Sequence, residues 1–575
     1  MRAAKRAGCS AKVLSPNVNS CDASSGADRV ERISLDDPDQ AVELVARLHA
    51  EVPVAGVVSY EEDAAVLAAR VAASLGLPAH PVHAAEAALD KPTMKRRFAA
   101  AGIPIAEHTV ARDEDDAVQW AERIGYPVVV KPCQGANSQG VIRADDEWQL
   151  RQAYRTLRRI VRDYDLHNGT RPNSVQLVER YLDGGEISVE LLLQHGRADV
   201  AAVFEKPNPL TGPFFEETVY LTPPRMDPAL RREAEELAIR AAAALGMWHG
   251  PAHCEIRLTS QGPVVLEIAA RLLGGGCSAV LQDWLDGDFQ ALLMRLAIGE
   301  PVVVPLARHD VPVAAAMMLP VPGEGRVAAV HGAARAMRVP WVRSVDIFAC
   351  PGDVVVLPPE PMCYSVGTVL AAGPSHQAIE DSLAWASASI ALDLAPMGRD
   401  RWTRTVADDD AGYRPSPAFA VHPLGELVAT DARDAVVPIL AECGFGELPE
   451  QDAMRSASLA VAAAEEAGHE SAWVVVADGG RRAMSLGFVD GRIGYLRLFA
   501  APPDYWQLEL PEVALRAQLA EFARRGCTHA VAELDPRPQL ATTALRRVGF
   551  VLDGSTNGST NGSTASAADA ACMTC

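Results

Sequence analysis

Two glutamates end the apolar stretches of a predicted hairpin. Glu255 ends the first stretch, and Glu267 ends the second, GPVVLE, with a Ser-Gln-Gly turn between the two. A turn of this kind between apolar runs predicts a β-hairpin in which the two carboxylates are nearly opposite. Two such carboxylates repel each other unless a cation lies between them, and Mg²⁺ accepts oxygen ligands of this type. The alternative is a solvated hairpin, but the apolar residues before Glu267 favour a metal site.

A cation and a flexible segment directly follow the second glutamate. Arg271 offers a guanidinium that can hold a phosphate or a carboxylate through paired hydrogen bonds. The glycines from 274 to 276 allow a ligand to approach the backbone closely, so we expect an uncrowded substrate pocket there. The glutamates and the arginine together predict a site for a phosphorylated or carboxylated ligand.

Two lysines upstream can supply compact positive charge. Lys91 follows Asp90, which can cap a helix, and a lysine at a helix N-terminus needs an anionic partner or solvent. Lys131 ends a buried strand over 128–130 and precedes a small polar loop over 134–140. Backbone N–H groups in such a loop can hold phosphate oxygens beside the lysine. The loop lacks the Gly-Lys-Ser/Thr ending of a Walker A motif.

A further pair of acids flanks a predicted connection between two strands. Residues 175–178 form the first predicted strand, residues 179–182 the connection, and Glu186 opens the next strand. Backbone groups of the connection can pair with a base edge, and the acid beyond it can accept ribose hydroxyls. The alternative is an ordinary hairpin in which Glu179 and Glu186 are exposed.

Composition excludes several classes of partner. The 575 residues include 53 basic and 74 acidic side chains, for a net charge of −21. This charge disfavours nucleic acid and anionic membranes. The eleven cysteines lack metal-ligand spacing, and neither a long apolar run nor a secretory leader is apparent. We therefore expect a cytoplasmic enzyme.

The order and spacing of these motifs resemble the ATP-grasp superfamily from residue 1 to about residue 395. The segment EIAARLLGG is most similar to bacterial L-amino acid ligases of the bacilysin-synthetase type. Most ATP-grasp enzymes have Asn two residues after the second metal-binding glutamate. This chain has Ala269 there, as that ligase group does, which leaves fewer protein ligands for a second Mg²⁺.

The resemblance implies ATP and Mg²⁺, with Mn²⁺ as an alternative, and a role for each motif. Metal would be held by Glu255 and Glu267. Nucleotide would be held by Lys91, Lys131, Gly135, Ser138, Gln139, Gly140, Glu179, Arg180, Tyr181, Leu182 and Glu186. Catalysis would involve Lys131, Arg271 and Glu217. Substrate would be held by Arg271, Gly274, Gly275 and Glu217, the last of these lying in a predicted lid and facing an amino group.

The resemblance also implies the reaction. ATP would phosphorylate a carboxylic acid, and an amine would attack the acyl-phosphate to give a dipeptide or amide, ADP and phosphate. Such a ligase fits natural-product or antibiotic biosynthesis, with a small-molecule acid and amine as its partners. The alternatives are an ATP-grasp carboxylase of the biotin type and a non-catalytic nucleotide- or partner-binding module.

The strand and helix patterns predict an α/β and α+β multidomain protein. The predicted parts are an N-terminal α/β domain (1–88), an ATP-grasp nucleotide-binding and catalytic region (89–300), its C-terminal lobe (301–405), a linker (406–419), a further α/β domain (420–554) and a disordered tail (555–575). Within the first domain we expect strands over 12–16 and 54–60, each followed by a helix.

The last domain resembles the GNAT acetyltransferase fold, especially in the segment LDPRPQLATTALRRVGF. The pyrophosphate-binding loop of that family should precede the helix that begins near Pro511. Here PPDYWQLELPEVALRA contains no glycine, so its backbone N–H groups cannot close around a pyrophosphate. We expect a degenerate GNAT-like domain with a role in packing, homodimer formation or substrate binding. An active N-acetyltransferase is the alternative.

Overall fold

The chain divides into two compact units near residue 395. The computed structural model describes residues 2–15, 29–33, 37–62, 64–135, 138–168, 175–271, 274, 276–359, 365–396, 400–406, 420–423, 471–478, 481–490, 492–500, 510–534, 545, 548 and 550–552. The predicted boundary after residue 405 is too late, because the strand Asp400–Thr405 pairs with strands of the second unit. The predicted tail and most of the predicted linker lie outside the described residues.

The first unit begins with a small α/β segment. Its elements are α1 (Arg2–Arg6), β1 (Lys12–Ser15), β2 (Arg29–Arg32), α2 (Pro38–Glu51), α3 (Ala65–Ser74) and α4 (Val82–Leu89). The two strands pair in parallel. The first predicted strand and both predicted helices are confirmed, but residues 54–60 pair with no strand in the described part of the chain.

A four-stranded antiparallel sheet follows, in the order β3-β6-β4-β5. The elements of this region are α5 (Lys91–Ala100), β3 (His108–Ala111), α6 (Glu114–Ile124), β4 (Val128–Pro132), β5 (Ile142–Ala144), α7 (Glu147–Asn168) and β6 (Gln176–Arg180). Apolar residues of α6 and α7 pack on this sheet and form its core. At the start of α5, the Asp90 carboxylate accepts a hydrogen bond from Thr93 N, as its predicted capping role requires.

The largest sheet of the first unit has eight strands, in the order β11-β10-β7-β8-β9-β12-β16-β14. The elements from here to residue 395 are β7 (Gly185–Gln194), β8 (Arg197–Lys206), β9 (Val219–Thr222), α8 (Pro228–Leu245), β10 (Gly250–Thr259), β11 (Gly262–Ala269), α9 (Cys277–Trp284), α10 (Phe289–Ala297), β12 (Val313–Leu319), β13 (Gly325–His331), α11 (Ala333–Ala336), β14 (Val342–Ile347), β15 (Val354–Val355), β16 (Gly367–Gly373), α12 (His376–Ser389) and β17 (Ala391–Ala395). The strands β15, β13 and β17 form a separate three-stranded sheet.

The two faces of the eight-stranded sheet differ in chemistry. Helix α8 covers one face, where Ile187, Val189 and Leu191 of β7 enter a core together with Cys254 and Ile256 of β10. Because side chains alternate along a strand, the intervening residues of β7 and β10 point to the opposite face. Those residues include three acids, one arginine and one histidine that form much of the candidate site: Glu186, Glu190, Glu255, Arg257 and His253.

The second unit contains a seven-stranded sheet in the order β19-β20-β21-β22-β23-β18-β24. Its elements are β18 (Asp400–Thr405), β19 (Ala420–Pro423), β20 (Ser471–Asp478), β21 (Arg481–Asp490), β22 (Ile493–Ala500), α13 (Leu510–Arg524), β23 (His529–Leu534) and β24 (Val551–Leu552). Strands β22 and β23 are parallel and flank α13 in the chain, whereas the other pairs are antiparallel.

No helix in the described parts of the chain combines the length and the hydropathy needed to cross a bilayer.

Candidate active site

The predicted hairpin is confirmed, and its register places the two glutamates opposite each other. Strands β10 and β11 are antiparallel, and Glu255 pairs with Glu267, next to an irregularity in the ladder. The two side chains nevertheless face different cations. Glu255 Oε1 accepts a hydrogen bond from Lys206 at 2.9 Å, and Glu267 Oε2 lies 3.3 Å from Lys91 Nζ.

Lys206, at the end of β8, is the centre of a buried cluster of three carboxylates. Its ammonium lies 2.5 Å from Glu186 Oε1 and 2.9 Å from Glu255 Oε1, and it also pairs with Glu217. Burial alone would lower the pKa of Lys206, but the three carboxylates raise it well above its usual value. The lysine is therefore charged and acts as the shared counter-ion of the three acids.

Sheet register explains why these groups meet. Glu186 of β7 lies opposite Lys206 of β8 on one side and opposite Arg257 of β10 on the other. The second oxygen of Glu186 lies 3.1 Å from Arg257 Nη2. The residue predicted to hold the ribose is thus engaged by two cations in this structure.

Glu217, predicted to face a substrate amino group, is held in the same cluster. One oxygen pairs with Lys206 and the other accepts a hydrogen bond from the Tyr220 hydroxyl. Burial raises the pKa of Glu217 to about 7, against the opposing charge of Lys206. Both carboxylate oxygens therefore already have partners within the protein.

His253 links Glu255 to a second buried acid, Glu190. Its ring lies 2.6 Å from Glu190 Oε1 through Nδ1 and 3.3 Å from Glu255 Oε1 through Nε2. Although burial alone would lower it, the negative charge of Glu190 raises the pKa of His253 to about 10. The resulting imidazolium connects the carboxylates of Glu190 and Glu255.

Three of these acids have the geometry of a metal site. Among the residues that the structure describes, ligand oxygens of Glu186, Glu217 and Glu255 lie within 4.8 Å of one another. Carboxylate oxygens are the donors that Mg²⁺ prefers, so the donor set fits a magnesium ion. The predicted second ligand, Glu267, lies outside this group and beside Lys91.

A second buried cluster lies where α5 meets the four-stranded sheet. The two oxygens of Glu179 each lie 2.8 Å from a lysine, one from Lys95 and the other from Lys131. Although burial alone would raise it, these charges lower the pKa of Glu179 to about 2. Burial lowers the pKa of Lys95 to about 8, against the attraction of Glu179. The acid predicted to contact adenine thus has its carboxylate engaged by lysines.

This arrangement predicts a specific response to acid. Because the pKa of Glu179 is lower in the folded chain than its ordinary value of 4.5, its stabilising effect is complete above that pH and is lost towards pH 2. We expect Glu179→Gln to lower the free energy of unfolding strongly at about pH 5 and much less at about pH 3. Urea unfolding at the two pH values measures this. The control variant Glu107→Gln breaks an exposed ion pair with Arg180, and it should lower the free energy of unfolding only slightly at either pH.

Lys91 joins the predicted phosphate loop to the predicted metal hairpin. It is buried, and its ammonium donates a hydrogen bond to Gly135 O at 2.7 Å while lying 3.3 Å from Glu267. Burial alone would lower its pKa, but Glu267 and Glu62 raise it. Lys91 therefore has the anionic partner that its position at a helix N-terminus requires.

The phosphate loop has the backbone of a tight turn. Ser138 and Gly140 have φ angles of 55° and 71°, in the left-handed region. A Cβ atom at Gly140 would lie 2.5 Å from Leu157 Cδ1, so this glycine allows close approach of the loop to α7. Residues 136 and 137 lie outside the described part of the loop.

The predicted adenine segment connects β6 to β7. Its first two amides are used within the protein: Arg180 N donates to Glu107 O at 2.8 Å and Tyr181 N to Pro127 O at 3.1 Å. The guanidinium of Arg143 stacks on the Tyr181 ring at 4.3 Å. If this segment holds a base as predicted, the contacts would come from its carbonyls, from the Leu182 amide or from the Tyr181 ring.

Arg271 is buried beside an acid from the N-terminal segment. Its Nη2 lies 2.8 Å from Glu62 Oε2, and burial leaves each residue less than one tenth exposed. Gly274 follows within the described residues, whereas Gly275 lies outside them. The N-terminal segment thus contributes a charged group to the site, which the motif pattern did not indicate.

The structure adds six charged or titratable residues to those that the sequence indicated. They are Glu62, Lys95, Glu190, Lys206, His253 and Arg257. The sequence carries a signal for one of them: in the β7 sequence GEISVELLL, Glu186 and Glu190 stand four positions apart and therefore on one face of the strand, with Ser188 between them. Buried acids in that pattern require cations on the neighbouring strands.

Three family models match consecutive parts of the chain. An ATP-grasp N-terminal domain matches residues 1–79, an ATP-grasp domain residues 124–280, and an L-amino acid ligase C-terminal domain 2 residues 317–395. The last match ends where the first structural unit ends. The chain therefore contains an ATP-grasp domain within a mixed α/β fold.

Known ligases resemble this chain over the same region. Dapdiamide A synthase of Enterobacter agglomerans is 26% identical over 275 residues, which cover 46% of this chain and 62% of that protein. Alanine–anticapsin ligase of Bacillus subtilis strain 168 is 26% identical over 251 residues, which cover 41% of this chain and 52% of that protein. The chain thus spans between about half and two thirds of the length of these two relatives.

A solved structure shows the same fold. The L-amino acid ligase from Bacillus licheniformis superimposes with a TM-score of 0.58 and 25% sequence identity, over 68% of this chain and 95% of that one. These likenesses support ATP-dependent ligation as the general class of reaction.

Proposed function

We propose that this protein is an ADP-forming ligase that joins a carboxylic acid, in the simplest case an amino acid, to an amine through an acyl-phosphate. The observation that carries the proposal is the position of Lys91. Its ammonium contacts both the phosphate loop at Gly135 and the metal hairpin at Glu267. A lysine in that position can neutralise phosphate oxygens between the loop and the metal.

Phosphoryl transfer requires metal binding, orientation of the phosphates and stabilisation of developing charge, and different residues of the site would perform each of these tasks. Mg²⁺, when bound, would neutralise the phosphates, and Glu255 with Glu267 or with the neighbouring acids would hold it. Lys91 and Lys131 would orient the phosphates of ATP. Arg271 would stabilise the charge that develops on the acid, since phosphoryl transfer depends mainly on positioning and charge neutralisation.

Water must be excluded once the acid is activated, because it would hydrolyse the acyl-phosphate. The long segment between β8 and β9 carries Glu217 and borders the Lys206 cluster. It is our candidate for the lid. Within this segment Glu217 already lies beside the predicted metal ligand Glu255, with which it shares the cation Lys206.

The function is tested by measuring ADP release with pairs of amino acids and by identifying products by mass. A product equal to the sum of two substrates minus water establishes the ligase. Bicarbonate-dependent ADP release without an amine would instead support a carboxylase. An intact chain that binds ATP but never forms ADP with any acid and amine would contradict the proposal.

We also propose that the second unit is a degenerate GNAT-like domain, with acyl-CoA binding as the alternative role. One observation favours it: β22 and β23 are parallel and lie on either side of α13 in the chain, which is typical of the GNAT arrangement. Residues 501–509, where the pyrophosphate loop should lie, are outside the described residues. Titration of the intact protein with acetyl-CoA tests this role. The absence of binding would favour a degenerate GNAT-like domain.

A further inference from the structure

We propose that Glu190 and His253 are positioning residues for the metal ligand Glu255. Together they hold one oxygen of its carboxylate and leave the other for the divalent cation. This inference rests on the proposed ligase function, in which Glu255 binds Mg²⁺. It goes beyond that function by giving a role to a buried acid and a buried histidine that the reaction scheme does not use.

Hydrogen-bond donors converge on one oxygen of Glu255. Its Oε1 lies 2.9 Å from Lys206 Nζ and 3.3 Å from His253 Nε2. Among the residues that the structure describes, none donates a hydrogen bond to Oε2. Carboxylate oxygens are suitable ligands for Mg²⁺ and Mn²⁺, so Oε2 is the atom of Glu255 that can take a metal without breaking a contact.

The strand register places His253 between the two acids. His253 lies opposite Glu190 of β7 in the ladder, and Glu255 follows two positions later on the same face of β10. The ring lies 2.6 Å from Glu190 Oε1 through Nδ1, so its orientation is fixed from the side of β7. On the other side of β10, His253 lies opposite Ala269, which has no polar side-chain atom. Glu190 therefore holds the ring from which Nε2 reaches Glu255.

Stability alone does not explain this buried pair. Glu190 is fully buried and His253 is 5% exposed. Removing two such groups from water costs free energy, and well-packed apolar residues of similar volume are often at least as stable as a buried ion pair. Hydrogen bonds to the residues that ligate a metal, in contrast, orient those ligands and increase the affinity for the metal. The contact between His253 and Glu255 gives the pair this second use.

Metal binding by the intact protein provides the first test. Mn²⁺ is a paramagnetic probe for a carboxylate site, and its electron paramagnetic resonance signal, measured with ADP present, gives the Kd. The variant His253→Asn keeps an amide nitrogen near the position of Nδ1, facing Glu190, but has no donor near the position of Nε2. We expect it to raise the Kd for Mn²⁺ by about 10–100-fold, as loss of a group that orients a metal ligand usually does.

The variant His253→Gln separates the contact with Glu255 from the loss of the ring. Its longer side chain places an amide nitrogen near the position of Nε2, so it can still donate a hydrogen bond to Glu255. Both variants remove the imidazole, and the difference between them measures that hydrogen bond. We expect His253→Gln to raise the Kd for Mn²⁺ by less than about 10-fold, and by less than His253→Asn does. An equal rise in both variants would contradict the positioning role.

A double variant distinguishes positioning from stability. Glu190→Leu combined with His253→Leu replaces the buried pair by apolar side chains and should fold. We expect its Kd for Mn²⁺ to rise as much as that of His253→Asn, whether or not its thermal unfolding midpoint changes. His249→Gln is the matched control, because His249 is also buried but its Nε2 lies 2.8 Å from Leu296 O. This control should lower the midpoint and leave the Kd unchanged.

The positioning role and the ligase function fail in different ways. If the wild-type chain binds Mn²⁺ but forms no ADP with any acid and amine, the ligase function is wrong. If it forms ADP, but His253→Asn and the double variant bind Mn²⁺ as tightly as the wild type, the positioning role is wrong and the ligase function stands. The same conclusion follows if an active wild-type chain binds no Mn²⁺.

Discussion

Replacing Lys131 by alanine is expected to lower ATP-dependent ADP formation by about 10²–10³-fold, the usual effect of removing one preorganised charged group. Lys131 pairs with Glu179 and lies near the end of β4, just before the phosphate loop. Its side chain is 7% exposed. Phosphoryl transfer gains most of its rate from such fixed charges. Coupled measurement of ADP release at saturating substrates gives the size of the loss.

Lys95 provides the matched control for this variant. It pairs with the other oxygen of Glu179, but its side chain is fully buried. Lys95→Met should therefore lower the free energy of unfolding, because Glu179 keeps only one partner, while kcat of the folded enzyme changes little. Near wild-type ADP formation by folded Lys131→Ala would contradict its assigned role.

Lys206→Met is expected to show the largest loss of stability, about 3–5 kcal/mol at neutral pH, because it leaves three close carboxylates without their shared cation. A divalent cation should restore much of the loss, since the ligand oxygens lie within 4.8 Å of one another. A cation at 100 times its Kd would stabilise the variant by about 2.7 kcal/mol. Thermal unfolding with and without Mg²⁺, in the absence of nucleotide, measures the effect.

Arg257→Met is the control for this metal dependence. It also removes a cation from Glu186, but it leaves Lys206 among the three carboxylates. We expect Mg²⁺ to change its midpoint no more than that of the wild type. An equal response to Mg²⁺ in wild type and Lys206→Met would show that the lysine does not occupy a cation site.

The local sequence pattern predicts the hairpin, but it does not predict which cations contact the two glutamates. The turn residues and the alternation of apolar side chains determine the pairing of Glu255 with Glu267. Both features can be recognised in the sequence, because they involve residues close together in the chain. The position of Lys206 depends on strand order, since β8 reaches Glu255 only through β7. Glu62 approaches Arg271 only through the packing of the N-terminal segment. Contacts of this kind join residues that are far apart in the chain, so no motif of fixed spacing in the sequence indicates them.

The same reasoning explains the errors in the fold. The stretch VAGVVSY has strand composition, yet a strand also requires a partner, and none of the described strands pairs with it. The domain boundary was placed by composition at the acidic and proline-rich residues after 405. The strand Asp400–Thr405 precedes that change in composition but belongs to the second unit because of its pairing.

The place of that strand decides how the second unit can be isolated. Strand β18 lies between β23 and β24 and pairs with both, so it is an interior strand of the seven-stranded sheet. A fragment that begins at residue 420 would lose it and leave the unpaired N–H and C=O groups of β23 open to other chains. Such a fragment would aggregate for reasons unrelated to its activity, whereas one that begins at Pro396 retains every described strand of the sheet.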